Sequence, residues 1–239
     1  MKNLNYIKSR KAAIVSGVAI LIMTLAAVIA TDLTIGKLIV IDNAAVTTDN
    51  IKASEMLFRF GVLNWLIVFI CDVLAAWGLY IFLKPVNKDL SLLMAWFRIV
   101  YVTILGIALL NYIKVLLLIS SDNYVSALGS HQFQLQVMFL VNAFDNMWSV
   151  GLIVFGLHIF LLGYLAFKSG YIPKTLGILL IIAFGGYVIT NLGNLLVPVY
   201  RDYKKIIEYI FIIPMLSEVA LGFWLLIKGG NTHNDLNLV

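Results

Sequence analysis

Six apolar runs, each long enough to cross a bilayer, narrow this chain to one kind of fold. About 20 consecutive apolar residues span the hydrocarbon core as a helix. Lipid offers no water to unpaired backbone N–H and C=O groups, so a spanning segment must satisfy them internally. The runs cover residues 12–30, 57–83, 90–119, 141–167, 175–199 and 206–227. They predict an all-α, polytopic membrane bundle of six transmembrane helices, forming a single domain over 12–228. A basic flank (1–11) precedes it and a polar tail (229–239) follows. Gln132 to Leu140 reads either as an extension of the fourth span or as an interfacial turn.

Composition agrees. The chain is 62% hydrophobic and 12% charged, against about 45–50% and about 25% for soluble domains. The net charge of +5 does not point to nucleic acid. Much of it lies beside the span ends, where Lys and Arg set topology and meet anionic headgroups, so membrane lipids are the expected partner. Cys71 is the single cysteine, which excludes an intramolecular disulfide. Three scattered histidines, His131, His158 and His233, do not make a three-histidine zinc site. No metal or cofactor is expected. Gly-x-Ser-x-Gly, His-Glu-x-x-His and Gly-rich phosphate loops are all missing, so an enzyme is not the leading expectation. Oligomerisation is left open.

Basic residues choose the orientation. With the N-terminus inside, nine Lys and Arg lie on inner segments and five on outer ones (Lys37, Lys52, Arg201, Lys204 and Lys205). This predicts both termini in the cytoplasm and a multi-pass protein of the cytoplasmic membrane. The first run resembles a signal peptide, ending in Val28-Ile29-Ala30. Its length, about 19 residues, exceeds the 7–15 of a signal core, so it reads as an uncleaved helix.

Four spans carry an ionisable residue at one depth: Asp72, Arg98, His158 and Glu218. Counted from the inner span ends at 1.5 Å per residue, all four lie about 12–17 Å deep. A single charge there costs roughly 2.5–3.5 kcal/mol on insertion scales, so the four are expected to meet. Arg98 suits a carboxylate partner, Asp72 or Glu218. The other carboxyl would be protonated or paired with His158. Three readings follow: a site that binds or moves a small solute or proton, a charge-neutral brace in an assembly subunit, or a hydrolase using His158 with Glu218 or Ser217.

A second group lies nearer the outer surface: Arg59, Asn111, Lys114, Asp145, Asn191 and Asn194. Arg59 and Lys114 can snorkel, and Asp145 can pair with Lys114. Arg59 and Asp72, Arg98 and Asn111, and Asp145 and His158 are each 13 residues apart. That is about 140° around a helix, which disfavours one continuous pore. Gly156 with Gly163, and Gly186 with Gly193, are spaced for close helix approach. Pro214, four residues before Glu218, predicts a kink.

The runs Phe155-Gly156-Leu157-His158, Leu161-Leu162-Gly163-Tyr164-Leu165, Ser169-Gly170-Tyr171-Ile172-Pro173 and Leu176-Gly177-Ile178-Leu179-Leu180 form a recognisable pattern. With Leu57-Phe58-Arg59, Cys71-Asp72-Val73, Leu83-Lys84-Pro85-Val86-Asn87 and Ala95-Trp96-Phe97-Arg98, the chain resembles a bacterial membrane family, domain of unknown function 4386. The resemblance covers about residues 12–229. It implies a multi-spanning membrane protein of unestablished activity and transfers no catalytic role. Asp72, Arg98 and His158 fall in its recognisable stretches; Glu218 lies in a looser part.

Overall fold

The computed structural model describes residues 2–120, 126–197, 212 and 216–229. Seven helices organise them: α1 (Lys2–Val28), α2 (Ala44–Ala53), α3 (Glu55–Leu83), α4 (Lys88–Ile119), α5 (Ser130–Lys168), α6 (Lys174–Leu196) and α7 (Ser217–Ile227). Among the described residues, five apolar helical segments are long enough to cross a membrane: Ser9–Leu38, α3, α4, α5 and α6. At 11 residues α7 is shorter than a span. Residues 206–211 and 213–215 of the sixth predicted run, Pro214 among them, lie outside the described residues, as do Arg201, Lys204, Lys205 and the tail from residue 230.

The helices present apolar side chains outward: Leu25, Trp96, Leu117 and Phe139 are all exposed. Inward they bury charge, with Arg98 among the largest fully buried side chains. A water-soluble protein does the opposite. This inversion, with the apolar helices, makes the chain a multi-pass membrane protein.

Two segments extend beyond the predicted runs. Helix α5 begins at Ser130, so Gln132–Leu140 is helical extension rather than a turn. Its 39 residues reach about 58 Å, well past a core about 30 Å thick. Helix α1 passes into a π-helical stretch, Ile29–Ile35, and a last α-helical turn, Gly36–Leu38. The Thr34 hydroxyl serves that stretch, lying 2.9 Å from the Ile29 carbonyl and 3.0 Å from the Ala30 carbonyl. The polar segment beyond contains α2, whose N-terminus is capped by Asn43 Oδ1 accepting from the Val46 N–H at 3.1 Å. Asn at that position satisfies one of the orphan N–H groups of a first turn.

The chain packs as two compact units. One comprises 23–69 and 103–148. Its interior is aromatic: Tyr112 stacks on Phe144 at 4.0 Å, and Trp65 contacts Phe144 at 5.1 Å and Trp148 at 4.9 Å. Gly61 admits Thr34 and Ile35 of the π-helical stretch.

The other unit comprises 1–22, 70–102 and 149–239. Here glycines set helix spacing. A Cβ on Gly163 would lie 2.8 Å from the Gly177 carbonyl oxygen, and one on Gly177 would lie 2.9 Å from the Gly163 oxygen. Helices α5 and α6 therefore touch backbone to backbone. Between them, Ser169-Gly170-Tyr171-Ile172-Pro173 makes a tight reversal. Gly170 adopts φ +74°, a conformation that costs glycine little. Tyr171 turns inward and donates to the Phe82 carbonyl at 3.2 Å.

At the opposite end of α7, Arg10 gathers the last carbonyls of the helix. Its Nη1 donates to Leu225 O at 3.1 Å and Gly229 O at 2.5 Å, and its Nη2 to Leu226 O at 2.7 Å. A cation at a helix C-terminus pairs with orphan acceptors and the negative end of the dipole. We expect Arg10→Ala to cost about 1–2 kcal/mol, read as a lower melting temperature in detergent. Arg10→Lys should recover only part of it, because an ammonium lacks the planar fork.

Candidate functional site

In that second unit Asp72, Arg98, His158 and Glu218 meet. Each comes from a different helix: α3, α4, α5 and α7 in turn. The guanidinium of Arg98 is the centre. Its Nε and Nη2 both donate to Asp72 Oδ1, at 2.8 and 2.7 Å. Its Nη1 donates to Glu218 Oε1 at 2.7 Å. The same Nη1 lies 3.0 Å from His158 Nε2. Arg98 and His158 are 0% exposed, whereas Glu218 is 7% exposed.

Hydrogen-bond roles fix the imidazole. A guanidinium only donates, so His158 Nε2 must accept. The other ring nitrogen, Nδ1, lies 2.9 Å from the Met94 carbonyl oxygen. A carbonyl only accepts, so Nδ1 carries the proton. His158 is therefore a neutral imidazole whose nitrogens are both committed. Met94 stands one helical turn before Arg98, so the same stretch of α4 supplies the guanidinium and the group that orients its neighbour.

Aromatic rings complete the wall. Phe155 lies one turn before His158 on α5, with its ring centroid 5.3 Å from Arg98 Cζ and 5.4 Å from the His158 ring. Tyr101 and Tyr187 flank Phe155 at 4.8 and 5.1 Å. A ring face attracts a cation and keeps lipid chains away from it.

The expected pairing of Arg98 with a carboxylate takes a fuller form, because both acids bind the one cation. Of the two alternatives for the second carboxyl, protonation or pairing with His158, the pairing with His158 is not formed. The physical reason is the guanidinium's five donors: it engages both acids and still has an N–H left for the imidazole. His158 consequently has no nitrogen with which to activate a serine or a water. Ser217 Oγ has no hydrogen-bond partner, so it does not bond His158.

The outer residues do not form a comparable cluster. In the aromatic unit, Arg59 is exposed and bound to Glu55 one turn away at 2.6 Å. Asn111 donates to the Ala108 carbonyl at 3.0 Å and to Met147 Sδ at 3.3 Å. Lys114 and Asp145 are exposed. In the unit that holds the cluster, Asn191 donates to the Tyr187 carbonyl at 2.7 Å and Asn194 to Ser149 Oγ at 3.2 Å.

Four contributors were not among the sequence candidates: the Met94 carbonyl, Phe155, Tyr101 and Tyr187. A backbone acceptor leaves no mark in the residue type. Phe155 carries a weak signal, since its spacing of three from His158 puts both on one helix face.

The profile of a family described as "Domain of unknown function (DUF4386)" matches residues 15–229. The chain belongs to this family. An uncharacterized protein of Archaeoglobus fulgidus is 35% identical over 170 residues, covering 71% of this chain and 84% of the relative. That relative is archaeal, so such sequences are not confined to bacteria. No solved structure matches the chain. Membership brings in no assigned activity, and the function must be argued from the cluster.

Proposed function

We propose that this member of the DUF4386 family is a non-enzymatic membrane protein that binds a proton at the Arg98 cluster and moves it, alone or with a small solute. Glu218 is the exchanging group. Asp72 and Arg98 form the fixed pair, and His158 is a neutral strut.

One observation carries the reading: two carboxylates meet one guanidinium beside an imidazole that hydrogen bonding keeps neutral. With both acids ionised the group carries one surplus negative charge in a buried site. An uncompensated buried charge is costly, whereas a paired one is tolerable. A single proton removes the surplus. A charge-neutral brace would need only one acid. Glu218 is assigned the exchange because Asp72 Oδ1 takes two Arg98 donors, whereas Glu218 takes one and is the more exposed acid.

The same reading includes six spans, the sixth ending in α7. It places both termini in the cytoplasm, leaves the first helix uncleaved, and locates the protein in the cytoplasmic membrane, by the basic-residue count.

Proteoliposomes enclosing a pH-sensitive dye test it. After an external acid step the wild type should acidify the lumen faster than protein-free vesicles. Glu218→Gln should fall to the protein-free rate while its stability stays within about 1 kcal/mol of the wild type. A wild type no faster than empty vesicles, with and without candidate solutes, would leave only the bracing role.

A further inference from the structure

Glu218 needs a route to water, and one face of α6 supplies the polar groups for it. Tyr187, Thr190, Asn191 and Asn194 follow the i, i+3, i+4, i+7 pattern, so they share a side of the helix. Thr190 and Asn191 are buried. Asn194 donates to Ser149 Oγ of α5, itself buried. At the lower end of the row, Tyr187 packs edge-on against Phe155, which faces the Arg98 guanidinium. Helix α7 packs against α6 and carries Ser217 beside Glu218.

Two hydroxyls in this region are unusual. Thr190 Oγ1 and Ser217 Oγ are buried and have no hydrogen-bond partner in the protein. Ser217 opens α7, whereas a serine or threonine inside a helix, as Thr190 is in α6, can return its hydroxyl to a carbonyl one turn back. Ser16, Thr48 and Thr31 all do so here. A buried polar atom without a partner costs free energy, and such atoms commonly bond ordered water. The two orphans stand on adjacent helices, one beside Glu218 and one in the row ending at Asn194.

We propose that Ser217, Thr190, Asn191, Asn194 and Ser149 line a water-filled half-channel joining Glu218 to the membrane face where α6 ends. Its occupant is water, through which the proton of the preceding section reaches the carboxyl. The route is one-sided: beyond Glu218 stand the Arg98–Asp72 pair and His158. This inference rests on the proton-binding reading for its purpose, but the water path can be tested independently.

The test uses thiol reactivity, since a charged methanethiosulfonate reagent attacks thiolates, which form in water and not in lipid. In a Cys71→Ala background, Thr190→Cys and Ser217→Cys replace hydroxyls with thiols of similar size. Ile189→Cys is the lipid-facing control, as Ile189 is half exposed on the apolar side of α6. Ser169→Cys, in the α5–α6 reversal, reports the opposite face. The membrane-impermeant reagent is applied to right-side-out and inverted vesicles.

We expect Thr190→Cys and Ser217→Cys to react at least about tenfold faster than Ile189→Cys. They should react from the face opposite to the one that labels Ser169→Cys. If both match Ile189→Cys, or label from the Ser169 face, the half-channel is wrong. Unreactive thiols in a protein that still conducts protons would reject the path and leave the proton-binding reading standing. Reactive thiols in a protein without flux would do the reverse. Variants recovered at wild-type yield and elution volume qualify for the comparison. Should Ser217→Cys fail that standard, Asn194→Cys replaces it with the same expected outcome.

Discussion

Arg98→Gln should be the most damaging single substitution in the protein. It leaves two buried acids without their cation. Breaking a buried ion pair by removing one partner costs about 3–5 kcal/mol, and here one guanidinium serves both Asp72 and Glu218. The change also removes the donor opposite His158 Nε2 and the cation facing Phe155. We expect the variant to be lost from the membrane or to aggregate on solubilisation.

Repair follows from the charge count. Pairing Arg98→Gln with Asp72→Asn removes the ionised partner and leaves a protonated, neutral Glu218, so it should recover most of the loss. Adding Glu218→Gln should then change little, and both the double and the triple variant should approach wild-type melting. Replacing a whole buried ion pair by well-packed apolar residues of similar volume is often neutral or stabilising, so the charges are dispensable when they are removed together. Equal losses in the single, double and triple variants would show that the cation's charge is not what the fold requires. Melting by fluorescence-detected size exclusion distinguishes these cases.

Gly177→Val should have the next largest effect, by a different route. Its added atoms would enter the space of the Gly163 carbonyl and the Phe167 backbone, at 2.9 and 2.8 Å. Both obstacles are backbone, so no side-chain rotation relieves them. Overpacking costs typically 1–3 kcal/mol and occasionally more. Two rigid helices in direct contact should place this case at or above about 3 kcal/mol. Gly170→Ala is the comparison: its Cβ meets nothing within 4 Å, and the only penalty is the positive φ, about 1–2 kcal/mol. If Gly177→Val melted no lower than Gly170→Ala, the close α5–α6 contact would be wrong.

The residues that meet at the site were visible in the sequence because depth is a one-dimensional quantity. A helix rises a fixed distance per residue, so the positions of Asp72, Arg98, His158 and Glu218 along their runs report their heights. Lipid then supplies the reason for them to meet, since none is solvated alone. Partner choice was not visible, because it depends on azimuth and on how helices pack. His158 illustrates this: its nearest acceptor is the backbone of α4, and its other neighbour is a cation.

The outer residues show the limit of depth counting. Arg59 and Lys114 are both exposed, Arg59 paired with Glu55 one turn away, and long cationic side chains near a span end can snorkel to the headgroups instead of joining a buried cluster. Helix boundaries were blurred for a related reason. Residues 130–140 carry His131, Gln132 and Gln134, which stop an apolar run but not a helix, since backbone hydrogen bonding continues outside lipid. The Asn43 cap of α2 was legible in principle, as Asn immediately before Ala-Ala-Val is a start signal for a helix. The π-helical stretch has no comparable signature.

The central claim is a surplus negative charge that one proton on Glu218 removes. Infrared spectroscopy reads this directly, because a protonated carboxylic acid has a carbonyl stretch that a carboxylate lacks. The wild type at neutral pH should show such a band, shifted when the solvent is exchanged for D2O and missing from Glu218→Gln. It should also vanish in Asp72→Asn, where Glu218 and Arg98 balance without a proton. A wild-type spectrum without that band, or a band unchanged in Glu218→Gln, would contradict the account.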